Sequence, residues 1–380
     1  MKVMIVVTHL LGTGHLARAL TLARAFTARG HDVCVISGGM PAPLLDKGDV
    51  EIVQLAPVRS DGIDFARLLT ATGPAGPDYL AARAAALVAE LTTRHPDLLV
   101  TELFPFGRRI LRDEFGALLD AARELRPAPV VCASIRDILA PPSKPRKAAF
   151  ADEMVQRYYT AVLVHSDPTL TPLETSWPVS DTLRKKLRYT GFVAPPAVGA
   201  HPALLGKDEI LVSAGGGDVG GHVYDAAVVA AALMPHRHWR LLVGGADPHA
   251  RIAQLQAVAP PNVTITPADP NFRQMLVSAA ASVSLCGYNT ALDVLQAGTP
   301  AVFVPFDEGN EVEQGLRARA LAGRDSIESL KRADLTPQSL FEALARVMNA
   351  PRRAPPPTGF DGAMQTVQIA SELAEARNAD

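Results

Sequence analysis

The chain has 380 residues, a length that suggests about two to three domains of ordinary size. A hydrophobic fraction of 48% against 20% charged residues provides enough apolar surface for a large core and argues against global disorder. Its 37 Lys and Arg residues balance 39 Asp and Glu residues, and the net charge of −2 argues against a nucleic-acid binder.

The first 190 residues alternate between short apolar runs and helical stretches. Runs typical of buried strands occur at residues 3–7, 33–36, 97–101, 129–135 and 161–165. After the first run, Leu16, Leu20 and Phe26 recur at helical spacing, and Gly30 is placed to end that helix. This β-α-β rhythm predicts a parallel, doubly wound sheet.

The rhythm breaks at residues 191–207, where three prolines and three glycines predict a linker. It restarts in the second half, with strand candidates at residues 209–213, 239–243, 262–266, 282–286 and 301–305. We therefore expect an α/β protein with two Rossmann-like, doubly wound domains facing a cleft. The first spans residues 1–190 and is joined by a C-terminal helix at 362–379, and the second spans residues 208–361.

A glycine-rich turn follows the first strand, at the edge where open α/β sheets bind ligands. Gly12 and Gly14 precede His15 in a G-x-G-x-x-A pattern, which is a weak dinucleotide fingerprint because the second strand ends without an acid for a ribose. His15 stands in the first helical turn, where the helix dipole disfavours an imidazolium, so a neutral ring is available as a general base. The simpler alternative is a histidine that caps or packs at the helix start.

A second glycine-rich turn follows the first strand of the second half. Ser213 precedes Gly215, Gly216 and Gly217, and a helix is expected from about residue 222. Glycines let backbone N–H groups approach a ligand, and a helix start adds partial positive charge, so a diphosphate is the expected guest. No Lys-Ser/Thr pair follows, which argues against a Walker site.

Polar residues follow the next strands of the second half. Asn289 or Thr290 is placed to cap a short helix, and Asp293 is placed about one turn into it, where a carboxylate could bind both hydroxyls of a ribose. Glu313 and Gln314 stand at the expected start of a further helix, within reach of sugar hydroxyls. Each acid also has a plainer explanation in the helix dipole. Together with the glycine turn, they describe a nucleotide-sugar site.

These motifs resemble the family 28 glycosyltransferases of the glycosyltransferase-B fold, and the resemblance covers nearly the whole chain. The strings THLLGTGHLARAL, TELFPFGRR, ASIRDIL and LVHSDP are most similar to a bacterial branch related to the peptidoglycan N-acetylglucosaminyltransferase. The resemblance implies that the segment marked by Phe272 and Met275, which includes the binding candidate Arg273, places backbone atoms on the nucleobase. It also implies that Asp293 binds the ribose and that the Glu313-Gln314 pair reads the sugar. The family enzyme has two glutamines at that pair, so the sugar is left open.

The acceptor side of the first half has its own candidates. Phe104 and Phe106 precede Arg108 and Arg109 just after a strand, and exposed rings beside arginines suit an acceptor with an apolar body and an anionic group, such as a lipid diphosphate. The alternative is that both phenylalanines are core residues and the arginines are solvated. Asp137 follows another strand and is expected as a cleft acid or a salt-bridge partner.

We therefore predict an inverting glycosyltransferase that moves a sugar from a nucleoside diphosphate sugar, expected to be UDP-linked, to an acceptor hydroxyl. His15 is the first choice for general base, with Glu102 and Asp137 as alternatives. The chain contains no Asp-x-Asp motif, so we expect no metal and no bound cofactor, with the diphosphate stabilised by backbone N–H groups. The rival readings are a nucleotide-sugar hydrolase or epimerase on the same fold, and an NAD-dependent oxidoreductase.

The expected partners are the nucleotide-sugar donor and a small-molecule or lipid-linked acceptor, with no nucleic acid. Three cysteines without a C-x-x-C pair predict buried, reduced thiols in a cytoplasmic protein. No run of about 18 apolar residues occurs, so contact with the inner face of a membrane would be peripheral.

Overall fold

The computed structural model describes residues 1–10, 13–43, 45–60, 67–215, 219–245, 247–308, 311–354 and 359–379. The chain divides into two compact units, one comprising Met1–Val193 with Asp361–Asp380 and the other comprising Ala194–Phe360. Residues 191–193 lie in the first unit and residues 194–207 in the second, so the segment predicted as a linker is divided between them.

The first unit contains a seven-stranded parallel sheet and a short antiparallel pair. Its strands are β1 (Lys2–Val7), β2 (Asp32–Ser37), β3 (Glu51–Gln54), β4 (Arg59–Ser60), β5 (Leu68–Leu69), β6 (Leu98–Glu102), β7 (Val130–Arg136), β8 (Ala161–His165) and β9 (Leu187–Tyr189). Its first helices are α1 (Gly14–Ala28), α2 (Pro77–Arg94), α3 (Arg112–Glu124), α4 (Pro145–Tyr158) and α5 (Asp181–Lys186). The sheet order is β3-β2-β1-β6-β7-β8-β9, and β4 pairs with β5.

The second unit contains a six-stranded parallel sheet. Its strands are β10 (Ile210–Ser213), β11 (Trp239–Val243), β12 (Val263–Pro267), β13 (Ala281–Ser284), β14 (Ala301–Phe303) and β15 (Ile327–Ser329). Its helices are α6 (Gly221–Ala232), α7 (Pro248–Gln256), α8 (Phe272–Ser278), α9 (Tyr288–Ala297), α10 (Glu313–Leu321) and α11 (Pro337–Asn349). The sheet order is β12-β11-β10-β13-β14-β15.

The last helix, α12 (Gly362–Ala379), belongs to the first unit. Val367, Ala370 and Ala374 are buried in the same apolar cluster as Phe26 of α1. Arg377 donates to the carbonyl oxygens of Asp97 at 3.1 Å and Ala128 at 3.0 Å, which fixes the end of the helix beside the sheet.

Both faces of the first sheet are covered, because successive side chains of a strand point to opposite faces. In β1, Val3 and Ile5 join the cluster that includes α1 and α12. Met4 and Val6 join the cluster that includes Leu87 of α2 and Phe115 of α3. A strand buried on both sides reads as a continuous apolar run, which is why β1 was predictable.

The predicted α/β class with doubly wound parallel sheets is confirmed. Each sheet is wound outward in both directions from its first strand, so the order reverses between β1 and β6 in the first unit and between β10 and β13 in the second. The three cysteines are buried and free, as predicted. Among the described helices, none is both long enough and apolar enough to cross a bilayer.

Candidate active site

His15 and Glu102 meet where the strand order of the first sheet reverses. His15 is the second residue of α1, which follows β1, and Glu102 is the last residue of the neighbouring strand β6. His15 Nδ1 donates to Glu102 Oε1 at 2.9 Å. Two of the three predicted candidates for the general base are thus one hydrogen-bonded pair.

The charges around this pair set its protonation. The Glu102 side chain is 1% exposed. Burial opposes its ionisation, but the Arg18 guanidinium and the hydrogen bonds from His15 and Ser134 outweigh burial and hold the pKa of Glu102 below its ordinary value. Burial lowers the pKa of His15 to about 4, against the opposing effect of its hydrogen bond to Glu102. The ring is therefore neutral near pH 7.

The tautomer of His15 follows from the same contacts. An ionised carboxylate offers only acceptor oxygens, so the single ring proton must lie on Nδ1, which faces Glu102. Nε2 then carries the lone pair, and it has no hydrogen-bond partner among the residues that the structure describes. With the His15 side chain 15% exposed, this nitrogen is the atom able to accept a proton from a ligand.

Three residues around the pair were not predicted from the sequence. Arg18 lies one turn after His15 on α1 and forms an ion pair with Glu102. Ser134 of β7 stands opposite Glu102 in the strand register and donates to Glu102 Oε2 at 2.5 Å. His165, the last residue of β8, lies 2.9 Å from Ser134 Oγ. Arg18 follows His15 at helical spacing, whereas Ser134 and His165 are brought towards Glu102 only by the pairing of neighbouring strands.

The remaining candidates in the first unit are Asp137, Gly14 and Gly12. Asp137 is buried one residue beyond β7. Gly14 begins α1 and is exposed, and a Cβ there would meet no atom within 4 Å, so the surrounding packing does not demand glycine. Gly12 lies outside the described residues.

The expectation of exposed aromatic rings on the acceptor side is wrong. Phe104 is 0% exposed and stacks on Phe115 at 4.4 Å between ring centroids, and Phe106 packs edge-on against Trp177. The core alternative is therefore correct for the rings, because apolar rings at a strand end gain more from burial than from solvent. Arg108 is half-buried rather than solvated, and its Nε donates to the carbonyl oxygen of Thr8 at 2.6 Å.

The glycine turn of the second unit is anchored by a tyrosine of the helix that follows it. The N–H of Ala214 donates to the Tyr224 hydroxyl at 2.9 Å, and that hydroxyl donates to the carbonyl of Leu242 at 2.7 Å. Gly215 has a φ of +78°, a backbone conformation that favours glycine, and its N–H approaches Ser213 Oγ at 3.2 Å. Gly216 and Gly217 lie outside the described residues.

Asp293 is paired with an arginine in the second unit. It is the sixth residue of α9, and its Oδ1 accepts from Arg273 Nε at 2.9 Å. Burial raises the pKa of Asp293 to about 6, although Arg273 acts in the opposite direction. Arg273 also donates to Gln296 Oε1 at 2.6 Å and to the carbonyl of Pro196 at 2.8 Å. A small cavity beside Asp293 is lined by these side chains and by Ala197 and Val198.

The predicted helix cap at Asn289 or Thr290 is wrong. Gly287 is the N-cap of α9, so the helix begins at Tyr288 and both polar residues lie in its first turn. Gly287 has no side chain with which to cap the helix, and its extended backbone leads directly into α9. Phe272 begins α8, is half-buried, and its N–H donates to the carbonyl of Asp269 at 3.1 Å.

Glu313 and Gln314 begin α10, at the predicted position. The carboxylate of Glu311 accepts from the N–H of Glu313 at 2.7 Å and caps the helix. Gln314 Oε1 accepts from the N–H of Phe306 at 3.2 Å, so the amide holds the loop that follows β14. One turn later, Arg317 is buried and donates to the carbonyl of Cys286, next to the start of α9.

Most of one recognisable domain lies in the second unit. Residues 226–370 match the model of the glycosyltransferase family 28 C-terminal domain, and residues 361–370 of this range belong to the first unit. This range includes Phe272, Arg273, Asp293, Glu313 and Gln314 and begins after the glycine turn. The match therefore covers most of the candidate donor residues.

Individual proteins are similar over 38–42% of the chain. The chain is 32% identical over 177 residues to the UDP-N-acetylglucosamine–N-acetylmuramyl-(pentapeptide) pyrophosphoryl-undecaprenol N-acetylglucosamine transferase of Brucella canis. It is 33% identical over 161 residues to the Brucella abortus protein of the same name. The similarity spans 42% of this chain and 45% of the Brucella canis protein, less than half the length of either.

Solved structures match over the whole chain. MurG of Acinetobacter baumannii superposes with a TM-score of 0.60 and 18% identity, covering 100% of this chain and 94% of that one. The calicheamicin glycosyltransferase CalG4 superposes with a TM-score of 0.61 and 18% identity, covering 99% and 96%. The fold of this chain is accordingly the glycosyltransferase-B fold of two Rossmann-like domains.

Proposed function

We propose that this chain, a member of glycosyltransferase family 28 through its C-terminal domain, transfers a sugar from a nucleoside diphosphate sugar to an acceptor hydroxyl with inversion at the anomeric carbon. The observation that carries the proposal is the match of residues 226–370 to the family 28 domain. UDP is the proposed nucleotide, because the Brucella relatives are named for a UDP-linked donor.

His15 is the proposed general base. Its Nε2 lone pair takes the proton of the acceptor hydroxyl while the acceptor oxygen attacks the anomeric carbon and the bond from that carbon to the diphosphate oxygen breaks. Attack from the face opposite the leaving group inverts the configuration. Glu102 acts through His15, because it holds the ring in the tautomer with Nε2 unprotonated and stabilises the imidazolium as it forms.

The leaving diphosphate is proposed to bind the second unit without a metal. The proposed donors are backbone N–H groups at the starts of α6 and α9, the helices that follow the adjacent strands β10 and β13. Helix starts attract anions, and oriented N–H groups stabilise a leaving group without reorganisation. Asp293 is the proposed ribose ligand, and Glu313 with Gln314 is the proposed sugar-reading pair.

The acceptor is proposed to be lipid-linked, on the ground that the relatives are named for an undecaprenol-linked acceptor. A protein using such an acceptor would contact the inner face of the membrane peripherally. The half-buried Arg108 and Arg109 are the cations of the first unit that follow β6, and they are proposed to face the anionic part of the acceptor.

Isothermal titration with UDP and with NAD tests the nucleotide class. We expect UDP to bind with an affinity that falls in the Asp293→Ala variant, and NAD not to bind. Binding of NAD with no binding of UDP would contradict the proposal and favour the oxidoreductase.

A further inference from the structure

Behind the His15–Glu102 pair, a row of polar side chains runs from the end of β6 across β7 and β8 to the residue that follows β9. Ser134 Oγ lies 2.5 Å from Glu102 Oε2 and 2.9 Å from His165 Nε2. His165 Nδ1 lies 2.9 Å from the hydroxyl of Thr190. Glu102, Ser134, His165 and Thr190 are all at most 3% exposed, so water does not compete for these hydrogen bonds.

Counting protons gives this row a single direction. Glu102 is ionised and only accepts, so the one hydroxyl proton of Ser134 points to it. The Ser134 oxygen must then accept from His165 Nε2–H, since two lone pairs cannot face each other at 2.9 Å. Burial lowers the pKa of His165 to about 3, so the ring carries only that proton. Its Nδ1 then carries the lone pair and lies 2.9 Å from the Thr190 hydroxyl, whose one proton is shared between Nδ1 and the carbonyl oxygen of Gly191 at 2.8 Å.

These hydrogen bonds fix the orientation of the Glu102 carboxylate towards His15. Both oxygens of Glu102 are occupied by donors, with Ser134 on Oε2 and with His15 and Arg18 on Oε1. Arg18 Nη2 also lies 3.1 Å from His15 Nδ1. The guanidinium therefore competes with the His15 ring for the lone pairs of Glu102 Oε1. A carboxylate tethered at Oε2 keeps Oε1 directed at His15.

We propose that Ser134 and His165 are positioning residues for the transfer reaction: their one-way hydrogen bonds hold the Glu102 carboxylate so that His15 keeps its proton on Nδ1 and presents an unprotonated Nε2 to the acceptor. The proposal rests on the assignment of His15 as general base. The charged groups that face His15 are Glu102 of β6, Arg18 of α1 and Arg108 beyond β6.

The decisive experiment reads the tautomer of His15 directly. In protein with ¹⁵N-labelled histidine, long-range ¹H–¹⁵N spectra distinguish a protonated from an unprotonated ring nitrogen, and the His15→Gln variant assigns the signal among the 10 histidines. We expect Nδ1 to be protonated and Nε2 unprotonated in the wild type. In Ser134→Ala the two nitrogens are expected to approach averaged shifts. This readout needs no turnover, so it stands even if no sugar is transferred.

The kinetic arm uses UDP-N-acetylglucosamine as donor. We expect Ser134→Ala to lower kcat about tenfold or more, as removal of an outer hydrogen-bond partner commonly does, with KM nearly unchanged. Loss of a donor makes Glu102 more basic, so the acid limb of the pH profile should move to higher pH. His165→Gln keeps a donor for Ser134 and should retain more activity than His165→Leu, which has none.

Ser282→Ala is the matched control, because Ser282 is equally buried on β13 and its Oγ has no hydrogen-bond partner in the described part of the chain. It should change neither the His15 signals nor the pH profile. The proposal is overturned if Ser134→Ala leaves the His15 shifts and the acid limb at their wild-type positions, or if wild-type His15 is protonated on Nε2. Absence of transfer by the wild type would instead contradict the proposed function alone.

Discussion

His15 combines a ring that is neutral near pH 7 with a hydrogen bond that stabilises its protonated form. Its ring is neutral far below pH 7 because burial lowers its pKa to about 4. Its Nδ1–H bond to Glu102 nevertheless stabilises the imidazolium that forms when Nε2 takes a proton. Burial, rather than the helix dipole expected from the sequence, is the largest cause of the neutral ring.

We expect His15→Ala to lower kcat by about 10²- to 10⁴-fold, the usual contribution of a general base, with UDP affinity near the wild-type value. Because the folded-state pKa is lowered, wild-type activity should be flat near neutrality and decline as the pH falls towards about 4. Exposed His236 gives the control variant His236→Ala. Retention of more than a tenth of kcat by His15→Ala would transfer the role to Glu102 or Asp137.

We expect the affinity for the UDP-sugar to depend on the ionisation of Asp293. Its pKa is raised to about 6, so the carboxylate is ionised above that pH and neutral below it. A carboxylate accepts from both ribose hydroxyls, so UDP-sugar affinity should weaken as the pH falls through about 6. Asp293→Ala should cost about 1–3 kcal/mol of binding free energy at pH 7.5.

Asp293→Asn is the control for this pH effect, because the amide does not titrate. Titration calorimetry with UDP-N-acetylglucosamine at pH 5 and pH 7.5 makes the comparison. If UDP-sugar affinity depends on pH equally in the wild type and in Asp293→Asn, Asp293 does not bind the ribose.

At the scale of elements, the turn between β10 and α6 depends on one hydroxyl. The Tyr224 hydroxyl accepts the Ala214 N–H inside the second unit, where water cannot replace it. In the first unit, Tyr189 plays a similar part by accepting the N–H of Leu173 at 2.9 Å. The two tyrosines make comparable hydrogen bonds, but only Tyr224 contacts the proposed diphosphate turn. Tyr189 can therefore serve as the control for Tyr224.

We expect Tyr224→Phe to lower the free energy of unfolding by about 1–3 kcal/mol, since it leaves a buried N–H unsatisfied. It should also weaken UDP binding, because the turn loses its anchor. Tyr189→Phe should lose stability, measured by denaturant unfolding, without losing UDP affinity. Equal UDP affinity in both variants would show that the turn held by Tyr224 does not contribute to donor binding.

Sequence patterns found the buried strands and the edge strand β12, and missed the other three strands at the edges of the two large sheets. β3, β9 and β15 each end a sheet and have mixed sequences such as EIVQ and LRY, in contrast to the apolar runs of β1 or β8. Ser134 and His165 were missed for a related reason. Their role depends on the register between parallel strands, and a single sequence does not reveal which strands are neighbours.

At the scale of the whole molecule, the proposed chemistry is divided between the two units. The proposed base and its carboxylate belong to the first unit, and the proposed nucleotide ligands, with most of the residues that match the family 28 domain, belong to the second. Variants of the first unit should therefore change kcat, whereas variants of the second should change donor affinity. The sequence predicted this division, because each half has its own glycine turn after its first strand.

We expect the rate of sugar transfer by the whole protein not to depend on a metal ion. If backbone N–H groups at α6 and α9 stabilise the leaving diphosphate, excess EDTA should leave the rate of sugar transfer within about twofold of the untreated enzyme. The control is addition of Mg²⁺ or Mn²⁺ after chelation, which should not raise the rate. Strict dependence on either ion would contradict the proposed diphosphate site and indicate carboxylate ligands.

The central claim is tested most directly by mass spectrometry of the products formed from a panel of nucleotide sugars, with and without undecaprenyl-linked acceptor. We predict one glycosylated acceptor per nucleoside diphosphate released, little release without acceptor, and loss of both products in His15→Ala. Release of free sugar at the same rate without acceptor would identify a hydrolase. Consumption of no nucleotide sugar by the wild type would contradict the account.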